Sequence, residues 1–536
     1  MKKIIVVGSG ASGVHFTLSL LEKGHEVTML DVGYQKPNML NPEDNINGLK
    51  ANLDDTVDYF LGNHFEAFIS PDHDAEYYGF PPSKNYVFLK PSQFKTKTSG
   101  FAPLFSFAQG GLAEAWTGGV YPLIESELSD FPFSYSDILP YYNKVAERIG
   151  ISGTWDDLSL FYPYHENISA PLALDRNSEL LISKYNKTRL YFNNKLRFYM
   201  GRSRTAALSQ DKNSRKACNS SGRCLWGCPN QALYTPSLTL EKCKTFKNFS
   251  YVPDMYVKYF QYNSIGHING VVAESLEDGT THTFEPDKLV LAAGTLPSSR
   301  IFLESIFKKT GEIKKLRGLM DNRQILIPFL NLKMSGKPSV HESYQYHQIA
   351  MGIKTKEPKE YIHGLVTTLK SALIHPIIKS IPLDLKTSIY FFRNLHSALG
   401  LINLNFHDYR RNDNYVTLTF DGDRSTTTLQ INYVPINGEG TTINKTLKIV
   451  KKAFLKLGCV IPPNMVHIRP MGASVHYSGT IPMSNNCSSF TVSKHCQSHD
   501  FQNLYIVDGT TFPFLPAKNL TFTLMANAVR VAENAF

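Results

Sequence analysis

The chain opens on Lys3 to Val7, a β-branched run without polar alternation, which predicts a short buried parallel strand. Gly8-Ser9-Gly10-Ala11-Ser12-Gly13 follows at once. Val14, Leu18, Leu20 and Leu21 then keep helical spacing, and Gly24 ends the helix. Glu26 to Leu30 predicts a second strand, closing on Asp31. Residues 35–100 lose any sustained period and are rich in Pro, Asn and Asp, so they read as loops with short helices, a lid region. A second glycine-dense turn runs from Gln109 to Gly119. Residues 136–150 have helical spacing with Ser134 or Ser136 as N-cap, and 153–215 are mixed.

Further on the period changes to two. Tyr251 to Gln261, Gly270 to Ser275, Thr281 to Phe284 and Lys288 to Leu291 predict strands, separated by glycine turns. Residues 325–455 alternate strand-like runs with a helical middle; Tyr415 to Phe420 and Thr428 to Val434 are the clearest strands. Residues 441–457 predict an amphipathic basic helix. The C-terminus reads strand (Leu504 to Val507), turn (Asp508-Gly509), Pro-rich loop, then helix (Thr521 to Asn534).

Composition narrows the class. The 536 residues allow two to four domains. Apolar residues at 42% and charged residues at 19% exclude disorder, collagen and coiled coil. Aromatics at 12% suit an organic-lined interior or a carbohydrate surface. A net charge of +10 favours anionic surroundings, but no block of five Lys/Arg occurs and no nucleic-acid role is expected. Four apolar residues before Gly8 are too few for a secretory signal. No apolar run reaches the length of a membrane span; the nearest, 371–402, is broken by Lys379, Pro382, Asp384, Lys386, Arg393 and His396. A cytoplasmic protein is expected, with peripheral membrane contact as the weaker alternative. Seven cysteines, an odd number spread thinly, argue against a disulfide scaffold.

Gly8, Gly10 and Gly13 form a GxGxxG between a strand and a helix. Such glycines give a tight turn, close approach of backbone to a pyrophosphate, and close helix–strand packing. The helix N-terminus offers N–H groups and partial positive charge. Asp31, at the end of the second strand, is placed to bind a ribose hydroxyl pair and would repel a 2′-phosphate. A dinucleotide site is expected; the motif alone does not choose FAD or NAD.

Further segments carry a resemblance. They are Leu30-Asp31-Val32-Gly33, Gln109 to Gly119 with Trp116, Leu291 to Arg300, His476-Tyr477-Ser478-Gly479-Thr480, Asn503 to Thr510, and Asn519 to Thr523. Together they resemble the glucose–methanol–choline (GMC) oxidoreductases, a family of FAD enzymes. The resemblance implies an α/β fold (α+β overall): a Rossmann-type FAD-binding domain with a discontinuous substrate domain built on a β-sheet. It implies cofactor domain 1–315 and 460–536, with 35–100 and 153–215 as lid or substrate insertions, and substrate domain 316–459. It places FAD against Gly8, Gly10, Ala11, Ser12, Gly13, Asp31, Gly110, Gly111, Trp116, Gly118, Val257, Ala293, Gly294, Asp508, Gly509 and Thr521. His476 matches the family's active-site histidine, and Asn519 the second member of its pair. Departures are small: the family often has Glu where Asp31 stands, and Ile481-Pro482-Met483-Ser484 differs from its usual continuation.

The chemistry agrees with that placement. Oxidising an alcohol removes a hydroxyl proton and a hydride; an imidazole suits the first task, and FAD takes the second. Asn519 can fix the hydroxyl without a charge to desolvate. In the family fold the helix starting near Thr521 points its N-terminus at the reduced flavin's negative charge. The expected substrate is a small-molecule alcohol, a sugar, polyol or glycosidic compound, with oxygen or a redox partner protein as electron acceptor. A lyase that keeps FAD without net redox, and a non-catalytic flavin-binding protein, are the alternatives.

Cys218, Cys224 and Cys228 stand as C-x5-C-x3-C. Such a group could hold an iron–sulfur cluster, and a sugar and polyol dehydrogenase subgroup of the family is similar here. Zinc lacks a fourth nearby ligand. Reduced thiols and no metal are the favoured expectation.

Overall fold

The structure is a computed structural model describing residues 3–35, 45–65, 67, 76, 78–338, 340, 342–370, 377–378, 381–420 and 426–536. Six helices bear on the site: α1 (Ala11–Glu22), α2 (Tyr135–Ile149), α3 (Thr295–Thr310), α4 (Leu385–Leu395), α5 (Glu439–Leu457) and α6 (Thr521–Ala535).

Lys3–Val7 lies at the centre of a five-stranded parallel sheet. The order is Leu504–Ile506, Lys288–Leu291, Lys3–Val7, Glu26–Leu30, Phe249–Val252. Ile4, Ile5 and Val6 are fully buried, as parallel strands covered on both faces must be. Helix α1 packs on α6, and α6 on α2. Chain ends more than 500 residues apart thus share one core. Ser134 is the N-cap of α2, with a capping box to Asp137. The expected α/β architecture with a Rossmann-type sheet is observed.

One expected strand divides. The run from Tyr251 to Gln261 is two strands, Phe249–Val252 in the parallel sheet and Met255–Tyr262 in a three-stranded antiparallel sheet. Pro253 cannot donate to a ladder and Asp254 takes a left-handed turn (φ 59°), so the chain changes sheet there.

The largest sheet is antiparallel. Its order is Cys459–Val460, Gln324–Asn331, Leu399–Asn405, Ile362–Thr368, Ile349–Ile353, Phe198–Arg202, with His467–Ile468 also pairing to Gln324–Asn331. Ile325, Ile327, Phe329, Ile402 and Leu404 pack with Ile443, Val450 and Phe454 of α5. Alternate residues of the same strands turn to the opposite face and floor a cavity. A smaller sheet joins Thr96–Ser99 to Thr427–Asn432, Tyr415–Phe420 and Lys315–Arg317. Among the described residues no helix is long and apolar enough to cross a membrane. Part of 371–402, and part of 35–100, lie outside the described residues.

Candidate active site

A cavity runs along the C-terminal ends of the parallel strands. Gly8, Ser9, Gly10, Ala11, Ser12 and Asp31 line one end, and His476 and Thr521 the other. The glycines divide their work. A Cβ on Gly13 would lie 2.0 Å from the Gly8 carbonyl oxygen, so Gly13 lets α1 pack against the strand. Gly10 borders open space, its nearest neighbour 4.0 Å from an added Cβ, so its backbone is free to approach a ligand. No side chain caps α1 at Gly10 or α6 at Leu520. Two helix N-termini with their orphan N–H groups therefore meet one cavity, an arrangement that favours anionic groups. Asp31 accepts hydrogen bonds from Ser9 and, at 3.1 Å, from Tyr251. Burial pushes its carboxyl up to about 6. These residues fit a dinucleotide: a phosphate cradle at one end of the glycine turn and a carboxylate at the other.

Val257, Gly111, Ala293, Gly294, Asp508 and Gly509 line the same cavity. Asp508 is occupied within the fold, accepting from Gly294 N at 3.0 Å, Ser298 Oγ at 2.5 Å and Thr510 Oγ1 at 2.7 Å, so it caps α3 in trans. Gly13, Gly110, Trp116 and Gly118 do not line it. Gly110 donates to Ser9 Oγ at 2.9 Å and so braces the glycine turn. At Gly118 a Cβ would lie 2.7 Å from the Leu233 side chain. Trp116 faces a second cavity, its indole N–H held by the Tyr234 carbonyl at 2.7 Å.

His476 and Asn519 meet where the two cavities join. The imidazole lines both, and Asn519 lines the second. Asn519 Nδ2 lies 3.3 Å from His476 Nε2, and Asn519 Oδ1 has no protein partner. His476 Nδ1 lies 2.9 Å from Asn322 Oδ1. Asn322 Nδ2 donates to the carbonyls of Phe406 (2.7 Å) and Pro516 (2.9 Å), which fixes its oxygen toward the imidazole. Nδ1 must then carry the proton, and the Nε2 lone pair accepts the long, 3.3 Å contact from Asn519 Nδ2 at the cavity edge. Burial lowers the imidazole to about 4, so it is neutral at pH 7.

The backbone before His476 is held in a costly shape. Val475 has φ 63°, an outlier for a β-branched residue. Asp321 holds this loop, accepting from Ser474 Oγ and from Gly472 N at 2.5 Å, and Ser474 Oγ accepts from His476 N at 3.1 Å. Burial raises the Asp321 carboxyl to about 7.

Sequence reasoning missed Asn322, Asp321 and His347. His347 lines the second cavity, its buried Nε2 is unpartnered, and a Cβ on Gly119 would lie 3.1 Å from it and 3.2 Å from Asn519 Oδ1. Burial lowers this imidazole to about 3. No local motif marks any of the three.

Cys218, Cys224 and Cys228 are free thiols. Burial raises Cys218 and Cys224, which opposes thiolate formation. Among the described residues no group of three or more His, Cys, Asp or Glu could hold a metal ion.

Residues 464–528 match the family model described as GMC oxidoreductase. A 2-methyl-1,2-propanediol dehydrogenase of Mycolicibacterium austroafricanum is 22% identical, covering 99% of this chain and 94% of its own. A paromamine 6′-oxidase of Streptomyces fradiae is 20% identical over 99% of this chain and 90% of its own. Among solved structures, pyridoxine 4-oxidase from Mesorbium loti has a TM-score of 0.60 at 13% identity, covering 99% of both chains. A formate oxidase has a TM-score of 0.61 at 11% identity, covering 99% of this chain and 97% of its own. The family match lies on the segment that carries His476, Asn519 and the start of α6, and the likeness to both relatives runs end to end, so the chain is similar to GMC oxidoreductases over its whole length.

Proposed function

We propose that the chain oxidises an alcohol to an aldehyde or ketone with bound FAD, His476 taking the hydroxyl proton and Asn519 positioning the hydroxyl. The GMC oxidoreductase match at residues 464–528 and the name of the propanediol dehydrogenase relative support action on CH–OH groups. FAD, when bound, accepts the hydride from the carbinol carbon. Gly8, Gly10, Ala11, Ser12 and Asp31 would hold its dinucleotide part.

One observation carries the reading: His476 Nε2 and Asn519 Nδ2 stand 3.3 Å apart at the junction of the two cavities, a long contact that a substrate hydroxyl can replace, and Asn519 Oδ1 has no protein partner. A hydroxyl there donates its proton to Nε2 while the Asn519 side chain holds the oxygen. The carbinol C–H leaves as hydride, the O–H proton rests on His476, and a C=O bond forms. The fixed Nδ1–H on Asn322 spares the ring a search among tautomers. Thr521, at the uncapped start of α6, lines the same junction, where the helix favours negative charge.

We assign the cofactor half to 1–315 and 460–536 and the substrate half to 316–459. The parallel sheet supports this, since its strands lie between Lys3 and Leu291 and at Leu504–Ile506. Phe198–Arg202 joins the large antiparallel sheet, which supports 153–215 as an insertion serving the substrate side. The names of two relatives, a propanediol dehydrogenase and a paromamine oxidase, are what supports the expected polyol or sugar type. Oxygen or a redox partner reoxidises the enzyme.

The test is anaerobic mixing of the holoenzyme with a panel of alcohols. Bleaching of the flavin band, lost in His476→Ala with FAD still bound, supports the reading. Unbleached flavin with every alcohol, together with cleavage of a cyanohydrin, would overturn it in favour of a lyase.

A further inference from the structure

We infer that the substrate is an alcohol with a large apolar body rather than a small polyol. The inference rests on the proposed oxidation at His476 and names the substrate class that site takes.

The second cavity has a volume of about 930 Å³. At roughly 30 Å³ per water-sized group it holds on the order of 30 non-hydrogen atoms. The flavin ring would take the part beside Trp116, His476 and Thr521, and the rest extends along the large sheet to Phe391 and Leu395 of α4.

Its floor is the face of the large sheet that points away from α5. Leu326, Asn403 and Leu365 stand side by side there, as do Pro328, Leu401 and Thr367. A sheet with one face on the core and one on solvent alternates apolar with polar residues. These strands carry apolar residues on both faces, although the second face meets an open cavity. Leu326, Leu330, Leu399 and Leu401 have protein cover on one side only, and an apolar ligand would complete their burial.

The polar atoms of the wall give the same answer. Lys370 and Arg469 are the charged side chains among the described lining residues. Both are spoken for: Lys370 is 2.6 Å from Asp175, and Arg469 is 2.6 Å from Glu76. Gln324 and Asn405 bond to each other at 2.9 Å. The buried wall atoms left without a protein partner, among the described residues, are His347 Nε2, Asn519 Oδ1, Asn403 Oδ1 and Tyr78 Oη. The first two sit beside His476, where one hydroxyl reacts. A sugar brings a hydroxyl on almost every carbon, and each one buried without a partner is unfavourable. Away from His476 the unpartnered buried polar atoms of this wall are few, Asn403 Oδ1 and Tyr78 Oη, against a mostly apolar lining.

The rim continues the pattern. Ile381, Pro382, Phe391, Phe392 and Leu395 line the cavity at α4, and Phe391 is 48% exposed. Leu385 and Tyr390 of the same helix are 70% and 69% exposed. The entrance on this side is itself apolar.

The experiment measures flavin reduction in the holoenzyme, without oxygen, with 1-alkanols of four to sixteen carbons in parallel with glycerol, sorbitol and glucose. The expected result is a rise in kcat/KM of roughly two- to fourfold per added methylene until the cavity is filled. Leu401→Asn should lower the ratio of kcat/KM for long over short alkanols at least tenfold. As a readout apart from turnover, the methyl ether of 1-dodecanol should raise Tm where sorbitol does not. A polyol or sugar reducing the flavin with higher kcat/KM than any long alkanol overturns the inference and leaves the alcohol-oxidation reading intact. Flavin unbleached by every compound overturns both.

Discussion

Asn322 Oδ1 lies 2.9 Å from His476 Nδ1, so a side chain 154 positions upstream chooses the tautomer of the proposed base. Replacing Asn322 with Leu should free the imidazole and leave the Phe406 and Pro516 carbonyls without their donor. Two orphaned buried acceptors cost about 1–3 kcal/mol each, so Tm falls and kcat falls more than KM rises. Asn322→Asp keeps an acceptor for Nδ1 but faces two carbonyls with a carboxylate. It should destabilise the fold as well, while its negative charge raises the His476 pKa. An acid limb of the kcat/KM profile displaced upward in Asn322→Asp, relative to wild type, is the sign that Asn322 acts through the ring. An unmoved limb would show that it does not.

The His476 imidazole, lowered by burial from its usual 6.5 to about 4, sets the pH dependence. It is neutral from pH 7 down to that value. The kcat/KM profile should therefore show no break near 6.5 and should fall only as pH drops toward about 4. The stability sign is the same: a histidine with depressed folded pKa contributes stability that is lost as pH falls from 6.5 through about 4. His476→Ala should lower flavin reduction by about 10²–10⁴-fold, the usual worth of a general base. Stopped-flow reduction across pH, in wild type and variant, checks both statements.

FAD binding should weaken in acid through Asp31. Burial raises this carboxyl from 3.8 to about 6, so in the free chain its ionised form is unfavourable, and stability declines as pH rises from about 4 through about 6. Ribose hydroxyls would donate to the carboxylate and favour that form, so affinity rises with pH across the same window. Equilibrium flavin release between pH 5 and pH 8 measures the slope. Asp31→Asn should flatten it and weaken binding at pH 8. A slope unchanged in that variant assigns the effect to another group.

The fold was legible where period and punctuation agree. Lys3 to Val7, the glycine turn and Asp31 are neighbours in sequence and in space, so one short stretch declares the cradle. The failure at Tyr251 to Gln261 is equally local, because Pro253 and Asp254 turn the chain between two sheets. The catalytic surroundings are another matter. Asn322 and His347 reach His476 and Asn519 only through the large antiparallel sheet and its connections, and nothing in the residues flanking Asn322 marks it. Leu326 and Leu401 read as core, since an apolar residue facing a cavity and one facing a helix look alike in sequence. The expectation of a sugar rested on the aromatic content and on the spacing of Cys218, Cys224 and Cys228, neither of which reports on the wall of the second cavity.

Asn519 follows Lys518, whose ammonium is buried 2.6 Å from Glu127, both side chains without exposure. Burial pushes Lys518 down and Glu127 up, and their contact opposes both shifts. Lys518 also donates to the Pro122 carbonyl at 2.8 Å, and Glu127 accepts from Ile124 N at 2.8 Å. This pair ties the segment leading into α6 to the loop before α2, and so fixes where Asn519 stands. Lys518→Met would leave Glu127 a buried carboxylate without its counter-charge, at a cost of about 3–5 kcal/mol. The double variant Lys518→Met/Glu127→Leu removes both charges and should recover much of that loss in denaturant unfolding. Its flavin-reduction rate should nevertheless stay below wild type, because the tether behind Asn519 is still missing. A double variant with wild-type kcat and KM would show that the pair serves the fold and does not position Asn519.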